Sequence, residues 1–306
     1  MEIKDIEQRI ALVTNDREHG SRWLVRETIL ILRDLAQAQL ADQDEQMRLL
    51  YSKGRDLSQA RPAMAALSAA VGRILSVQGS PAAIAQAANH LLEEYETATK
   101  HIATHAEPYL YGHLMTCSLS GTVLEVLAAQ RSHIEHITVL EGRPRYEGRE
   151  MARALSQHGI TITLITDAEA DIFMPQCQAV VVGADSILAD GDILNKAGTA
   201  LLAWSAHGHG IPFYVLSETL KISSHRWSTD KAHLADNLSL LEEKEPEEVL
   251  EQPIPTVSVR NFYFDRTPYK LISKLISERG ILEQQTIREI AASVQRNEQL
   301  LARTYL

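Results

Sequence analysis

Five short polar clusters in this chain carry side chains suited to chemistry, and each follows an apolar run. In Val180-Val181-Val182-Gly183-Ala184-Asp185 the run breaks at a glycine and delivers a carboxylate. Asn195 and Lys196 follow shortly after, ahead of an Ala/Leu-rich stretch. An acid at the end of a buried strand has its pKa raised by burial, stays protonated and can donate. The other clusters are Thr116-Cys117-Ser118, Glu141-Gly142-Arg143-Pro144, Thr166-Asp167, and Ser217-Glu218 with Lys221. Arg143, Lys196 and Lys221 bring positive charge, and together with helix N-termini they suit an anion such as a phosphate ester. Each residue has a plainer role open to it. Arg143-Pro144 can be a surface turn, Lys196 an exposed side chain on a first helical turn, Asp185 a cap and Cys117 an inert buried thiol. Asp190 and Asp192 read as turn and N-cap residues. His207 and His209 read as a helix end rather than a metal pair, and His101, His105 and His113 lack ligand spacing. No metal or cofactor is expected. Trp204, Phe213 and Tyr214 read as core.

The elements that position these clusters are legible in outline. From Arg22 to Leu40 apolar residues recur every three or four positions, the pattern of an amphipathic helix. Ser58–Ser76 continues in the same style, with Pro62 near its start, and Ser80-Pro81 opens a further long helix. Past Glu107-Pro108 short β-rich runs alternate with helical patterns. The strands are expected at Leu114–Thr116, His136–Leu140, Ile160–Ile165, Ala179–Val182 and Phe213–Leu216. The helices are expected at Val123–Gln130, Glu147–Gln157 and Leu194–His207, with Gly159 and Gly210 as C-caps. Such alternation implies right-handed βαβ units and a mostly parallel, doubly wound sheet. Thr256–Val259 is expected as an edge strand, and Tyr269–Ile281 and Thr286–Leu301 as helices. The fold class is therefore α/β: an N-terminal helical domain over 1–106, then a Rossmann-like, mostly parallel sheet domain over 107–306. In such a sheet the ligand crevice lies outside the carboxyl ends of the strands, where all five clusters fall.

Composition narrows the function classes. At 306 residues the chain can build a large core. The formal charge of -10 and the lack of a basic stripe argue against a nucleic-acid partner. No apolar run is long enough for a membrane span, and the charged start, Met1 to Arg9, lacks a signal core. A cytoplasmic location is expected, so Cys117 and Cys177 are expected to stay reduced. The acidic stretch Glu242–Glu248 reads as a solvated loop or helix start.

Taken together, the motifs resemble those of one family. They are Thr116-Cys117-Ser118-Leu119-Ser120 ahead of Val123-Leu124, Glu141-Gly142-Arg143-Pro144 with Glu147-Gly148, Gly183-Ala184-Asp185, Asn195-Lys196-Ala197-Gly198-Thr199, and Phe264-Asp265-Arg266-Thr267-Pro268. That family unites the α, β and δ regulatory subunits of translation initiation factor 2B with methylthioribose-1-phosphate isomerase and ribose-1,5-bisphosphate isomerase. The resemblance covers most of Gly112 to Gly280. In the helical third only Gly20-Ser21 matches, at the family's early glycine loop. It implies a helical domain followed by a Rossmann-like one, assembly into homodimers or higher homo-oligomers through the latter, and a phosphorylated sugar or nucleotide as ligand. By the same resemblance Asp185 is the acid/base group and Arg143 and Lys196 help hold the substrate; Gly20, Asn195 and Lys221 are expected to join them in ligand binding. Translation-factor subunits often lose this aspartate.

One position departs from the family. The isomerases read Thr-His-Cys where this chain reads Thr116-Cys117-Ser118, so the catalytic cysteine is replaced by Ser118 and Cys117 falls on the histidine. A thiol titrates near pH 8.5, whereas a serine hydroxyl needs an adjacent base. Two readings stand side by side. One is an aldose–ketose isomerase acting on a phosphorylated aldose such as ribose 1,5-bisphosphate, with Asp185 and Ser118 or Cys117 as catalytic groups. The other is a non-catalytic regulatory subunit of the factor 2B type that senses a sugar phosphate or nucleotide.

Overall fold

The computed structural model describes residues 3–16, 20–38, 42–77 and 79–303. Five helices come first: α1 Ile3–Asn15, α2 Ser21–Gln37, α3 Gln43–Gln59, α4 Ala65–Leu75 and α5 Pro81–Ala106. The periodic face expected from Arg22 is the buried stripe of α2, where Leu24, Val25, Ile29, Ile31, Leu32 and Leu35 are out of water. Leu40, at the end of that expected helix, lies outside the described residues. The Ser58–Ser76 pattern proves to be parts of two helices. The chain turns at 60–64, so Pro62 sits between α3 and α4. α3 is a polar helix that buries Met47, Leu50, Tyr51, Gly54 and Leu57, and its low apolar content hid it in the sequence. The side chain of Asp42 accepts a hydrogen bond from the Asp44 N–H at 2.9 Å and caps it.

The remainder alternates β1 Gly112–Cys117, α6 Gly121–Ala129, β2 Ile134–Leu140, α7 Glu147–Gln157, β3 Thr161–Ile165, α8 Ala170–Phe173 and β4 Ala179–Val182. There follow β5 Ser186–Ile187, β6 Ile193–Lys196, α9 Thr199–Gly208, β7 Phe213–Leu216, α10 Leu234–Ser239 and β8 Phe264–Thr267. The chain closes with β9 Lys274–Ser277, β10 Gly280–Ile281 and α11 Gln284–Arg303. The main sheet runs in the order β10-β9-β7-β4-β1-β2-β3 and is parallel except for β10. A small antiparallel sheet, β5-β6-β8, stands beside it. α5 runs from the helical core to the sheet core, burying Ile84 and Leu91 in the first and Ile102 and Ala106 in the second. α11 comes back the other way, with Val294 and Leu301 in the helical core.

Four expectations are corrected. Leu194–His207 is not one helix: Ile193–Lys196 is β6, and α9 starts only at Thr199, after Gly198 at φ +106°. Tyr269–Ile281 is not helical beyond a single turn. It holds β9 and β10, and β9 is buried at Leu275, Ile276 and Ser277 against β7. A short apolar run of this kind has no period that separates strand from helix. Thr256–Val259 forms no strand; it is an exposed stretch, and β10 closes that end of the sheet. Trp204 is half-exposed, not core, because α9 turns Leu202, Ala203 and Ala206 inward and leaves the indole 5.1 Å from the Lys270 ammonium. Among the described residues no helix is long and apolar enough to cross a membrane.

Candidate functional site

The order of the parallel strands decides where a ligand can sit. β1 is flanked by β2 on one side and β4 on the other, all parallel, so the winding reverses between β1 and β4. Loops leaving the two strands of such a switch point diverge and leave a crevice. Here the exits are Ser118, directly after β1, and Gly183-Ala184-Asp185, directly after β4. Gly183 is required by proximity: a Cβ there would stand 2.7 Å from Ser120 Oγ, which caps α6.

A cleft of about 1280 Å³ opens over this point. Cys117, Ser118, Asp185, Asn195, Lys196 and Lys221 all line it, and so does Gly20 from the far, helical wall. The N-termini of α2 and α6 both border it, so the positive ends of two helix dipoles meet at one cleft. Ser186, next to Asp185, fixes the two walls together. Its hydroxyl donates to the Ala63 carbonyl at 2.6 Å and accepts from the Ala65 N–H at 2.9 Å.

Of the eight residues expected to act in catalysis or ligand binding, Arg143 alone stands outside the cleft lining, and the Glu141–Pro144 and Thr166-Asp167 clusters, expected in the same crevice, place no residue in it. The Arg143 side chain is exposed and donates to Tyr146 Oη at 2.8 Å and to the Val249 carbonyl at 3.4 Å. The loop itself is tied down by Asp167, which accepts from the Gly142 and Arg143 N–H groups at 2.9 and 2.7 Å. Arg145, two residues on, lines the cleft instead.

Asp185 is half-buried, and burial raises its proton affinity. Lys221 and Lys196 pull it back, Glu242 adds to it and Arg61 opposes, and the net effect is a pKa above the ordinary carboxylate value. Lys196 is neither helical nor free. It ends β6, with its ammonium 2.5 Å from Glu147 Oε1 and 4.4 Å from the Tyr263 ring centre. Asn195 donates to Thr199 Oγ1 at 3.0 Å. Lys221 is buried with Glu218, 3.4 Å away, and Glu218 in turn accepts from Thr122 Oγ1 at 2.6 Å. Burial pushes the Cys117 thiol up to about 12, and Thr199 Oγ1 at 3.6 Å offsets only part of that. Cys117 therefore stays a thiol at neutral pH. Ser118 holds φ +62°, which turns the chain out of β1.

Asp265, from the Phe264–Pro268 motif, does not line the cleft. It accepts from the Gly198 N–H at 2.7 Å and the Ala200 N–H at 3.0 Å and fixes the start of α9. Asp192 is likewise no helix cap: it pairs with Arg266 Nε at 2.5 Å and accepts from the Tyr269 N–H at 2.8 Å. His209 ends α9 as expected and meets Asp171 at 2.9 Å.

Several cleft residues carried no signal in the sequence. Arg61, from the turn between α3 and α4, crosses to Glu242 at 3.2 Å. Glu242 is therefore not the solvated residue that its acidic run implied: its side chain is 7 % exposed. Arg22, just beyond Gly20-Ser21, and Lys244 and Tyr263 complete the walls. An Arg-Pro pair at 61–62, like that at 143–144, was the one available cue.

A sequence profile of the initiation factor 2 subunit family matches residues 17–284. A Pyrococcus horikoshii protein named as a translation initiation factor eIF-2B subunit 2-like chain is 31% identical over 275 residues, covering 87% of this chain and 92% of that one. The ribose 1,5-bisphosphate isomerase of Archaeoglobus fulgidus is 31% identical over 250 residues, 78% of this chain and 77% of its own. In three dimensions the chain is similar to the crystal structure of 5-methylthioribose 1-phosphate isomerase from Pyrococcus horikoshii. The TM-score is 0.73 at 25% identity, with 97% of this chain and 87% of that one covered.

Proposed function

Because this chain belongs to the initiation factor 2 subunit family, we propose that its cleft binds a phosphorylated aldose and acts on it as a sugar-phosphate isomerase, with Asp185 as the proton donor. The observation that carries this reading is the position of Asp185. It lies at the switch point of the sheet with its proton affinity raised, in one cleft with Lys196 and Lys221. A phosphate on C1 stops an aldose ring from opening unaided. A protonated Asp185 gives its proton to the ring oxygen as the bond from C1 to that oxygen breaks. A hydride then passes from C2 to the electron-poor C1, and the C2 hydroxyl gives its proton back to the Asp185 carboxylate as the carbonyl forms, leaving the ketose. Two N-terminal helix ends and the cleft cations hold the phosphate. In the same reading Ser118 supplies a hydroxyl at the position that the resemblance assigns to the isomerases' cysteine. Assembly as a homodimer or larger homo-oligomer belongs to the same reading.

A second reading is favoured by the state of Cys117. With its thiol pushed up to about 12 and a serine beside it, the β1 exit offers no thiolate at neutral pH. The cleft would then sense its ligand without converting it, as a regulatory subunit. One experiment separates the two: NMR of ribose 1-phosphate and ribose 1,5-bisphosphate incubated with the protein, beside thermal unfolding with each. The isomerase reading expects ketose formation that falls by at least about 100-fold in Asp185→Asn while the ligand still raises Tm. A raised Tm with no ketose establishes the sensor. Neither effect removes both readings.

A further inference from the structure

Every described cation lining the cleft has a carboxylate partner of its own chain. Lys196 has Glu147, Lys221 has Glu218, Arg22 has Glu125 and Arg145 has Glu248. One of these carboxylates is unlike the rest. Glu242 reaches into the lining and is held there by two cations, Arg61 and Lys244. Arg61 Nε and Nη2 approach its two oxygens at 3.4 and 3.2 Å, and Lys244 Nζ stands 3.0 Å from Oε2. That arrangement, a guanidinium fork on two oxygens with an ammonium on one, is how proteins grip a phosphate. The pair is well out of water, with 11 % and 7 % of the two side chains exposed.

The carboxylate is also fixed from behind. The Glu242 carbonyl accepts from the Tyr263 N–H at 3.1 Å, the Leu241 carbonyl accepts from Phe264 at 3.1 Å, and the Lys244 N–H donates to the Asn261 carbonyl at 2.7 Å. The segment is thus laced to the strand leading into β8, and Arg61 is anchored by donating to the Asp16 carbonyl at 3.1 Å. Glu242 itself sits at φ +48°, a region that side chains other than glycine, asparagine and aspartate seldom occupy. The chain accepts that conformation at the one place where it delivers a carboxylate to Arg61.

We propose that Glu242 is an internal anion filling the place a second phosphate would take, so that the cleft accepts a sugar carrying one phosphate and discriminates against the bisphosphate. This rests on the phosphorylated-aldose reading above and selects the substrate class within it. A second phosphate has to evict a carboxylate that two cations and a laced backbone hold in place. Left there, Glu242 cancels one of the two positive charges and occupies the positions on Arg61 and Lys244 that phosphate oxygens would need.

The test is calorimetric titration with ribose 1-phosphate and ribose 1,5-bisphosphate, which differ only by the second phosphate. The wild type is expected to bind the bisphosphate more weakly than the monophosphate. Glu242→Gly removes the carboxylate and suits the backbone at φ +48°. It should tighten the bisphosphate at least about tenfold more than the monophosphate, and Glu242→Gln should do so to a smaller degree. Thermal unfolding of both variants checks that they are folded. The proposal is overturned if the wild type binds the bisphosphate as tightly as the monophosphate or more tightly. It is equally overturned if a folded variant binds both ligands with their ratio unchanged. If no protein binds either ligand, the phosphorylated-aldose reading falls, and this inference with it.

Discussion

Lys221 and Glu218 stand 3.4 Å apart at the floor of the cleft, with 4 % and 3 % of their side chains exposed. Burial alone would drive the proton affinity of Glu218 up. Lys221, the Thr122 hydroxyl and a backbone N–H outweigh it, so the carboxylate stays charged with its pKa below the ordinary value. Through Thr122 the pair joins β7's exit to the start of α6, and it holds Lys221 in the cleft with Asp185.

Removing one member should therefore cost far more than removing both. Lys221→Met leaves a charged carboxylate in a dry site and should destabilise the protein by about 3–5 kcal/mol in urea denaturation. Lys221→Met with Glu218→Gln should recover at least half of that loss. A single variant as stable as the wild type would show that water reaches the pair.

Cys117 should behave as an inert thiol. With its pKa near 12, it should resist iodoacetamide at pH 8 in the native protein and react in urea. Cys117→Ala should leave the affinity for phosphorylated sugars within about threefold of the wild type, since the thiol is buried against Thr199 rather than charged. Rapid native alkylation at pH 8, traced to Cys117 by mass spectrometry, would contradict this.

Asp265 should leave a mark on the pH dependence of stability. Burial raises its pKa from 3.8 to about 6, with the Ala200 and Gly198 N–H groups lowering it only in part. The folded protein then binds the proton more tightly than the unfolded chain does. Stability falls as pH rises from about 4 to about 6 and is level above that. At about 1.4 kcal/mol per pH unit the loss comes to roughly 3 kcal/mol. Asp265→Asn should flatten this part of the curve, read as urea midpoints between pH 4 and 7. An unchanged slope would place the titration elsewhere.

Gly183 should tolerate no side chain. The added methyl of Gly183→Ala would lie 2.7 Å from Ser120 Oγ and 3.0 Å from its Cβ, at the cap of α6. A loss of about 1–3 kcal/mol is expected. Gly183→Ala with Ser120→Gly should regain part of it, because the obstructing atoms are gone. A Gly183→Ala protein with unaltered Tm would mean that α6 gives way freely.

Much of this architecture was legible in the residues. Apolar runs of strand length between amphipathic stretches gave β1, β2, β3, β4 and β7, and with them the parallel sheet and the exits where Ser118, Asp185 and Lys221 lie. Such patterns are visible because burial of a strand or helix face repeats over a few residues. The failures share a cause. β6, β9 and the turn at 60–64 are short, and their state was set by neighbours rather than by their own period.

The sequence by itself determined which residue types stand at the strand ends and that Asp185 leaves a buried strand. Only the tertiary structure decided which of those ends share one space. It left Arg143 outside the cleft lining and put Arg145 in it. It also brought Arg61 onto Glu242 across 181 positions of sequence. An ion pair of that kind has no local signature. Its energy depends on distance and on exclusion of water, and both are fixed only when separate segments of the chain have packed together.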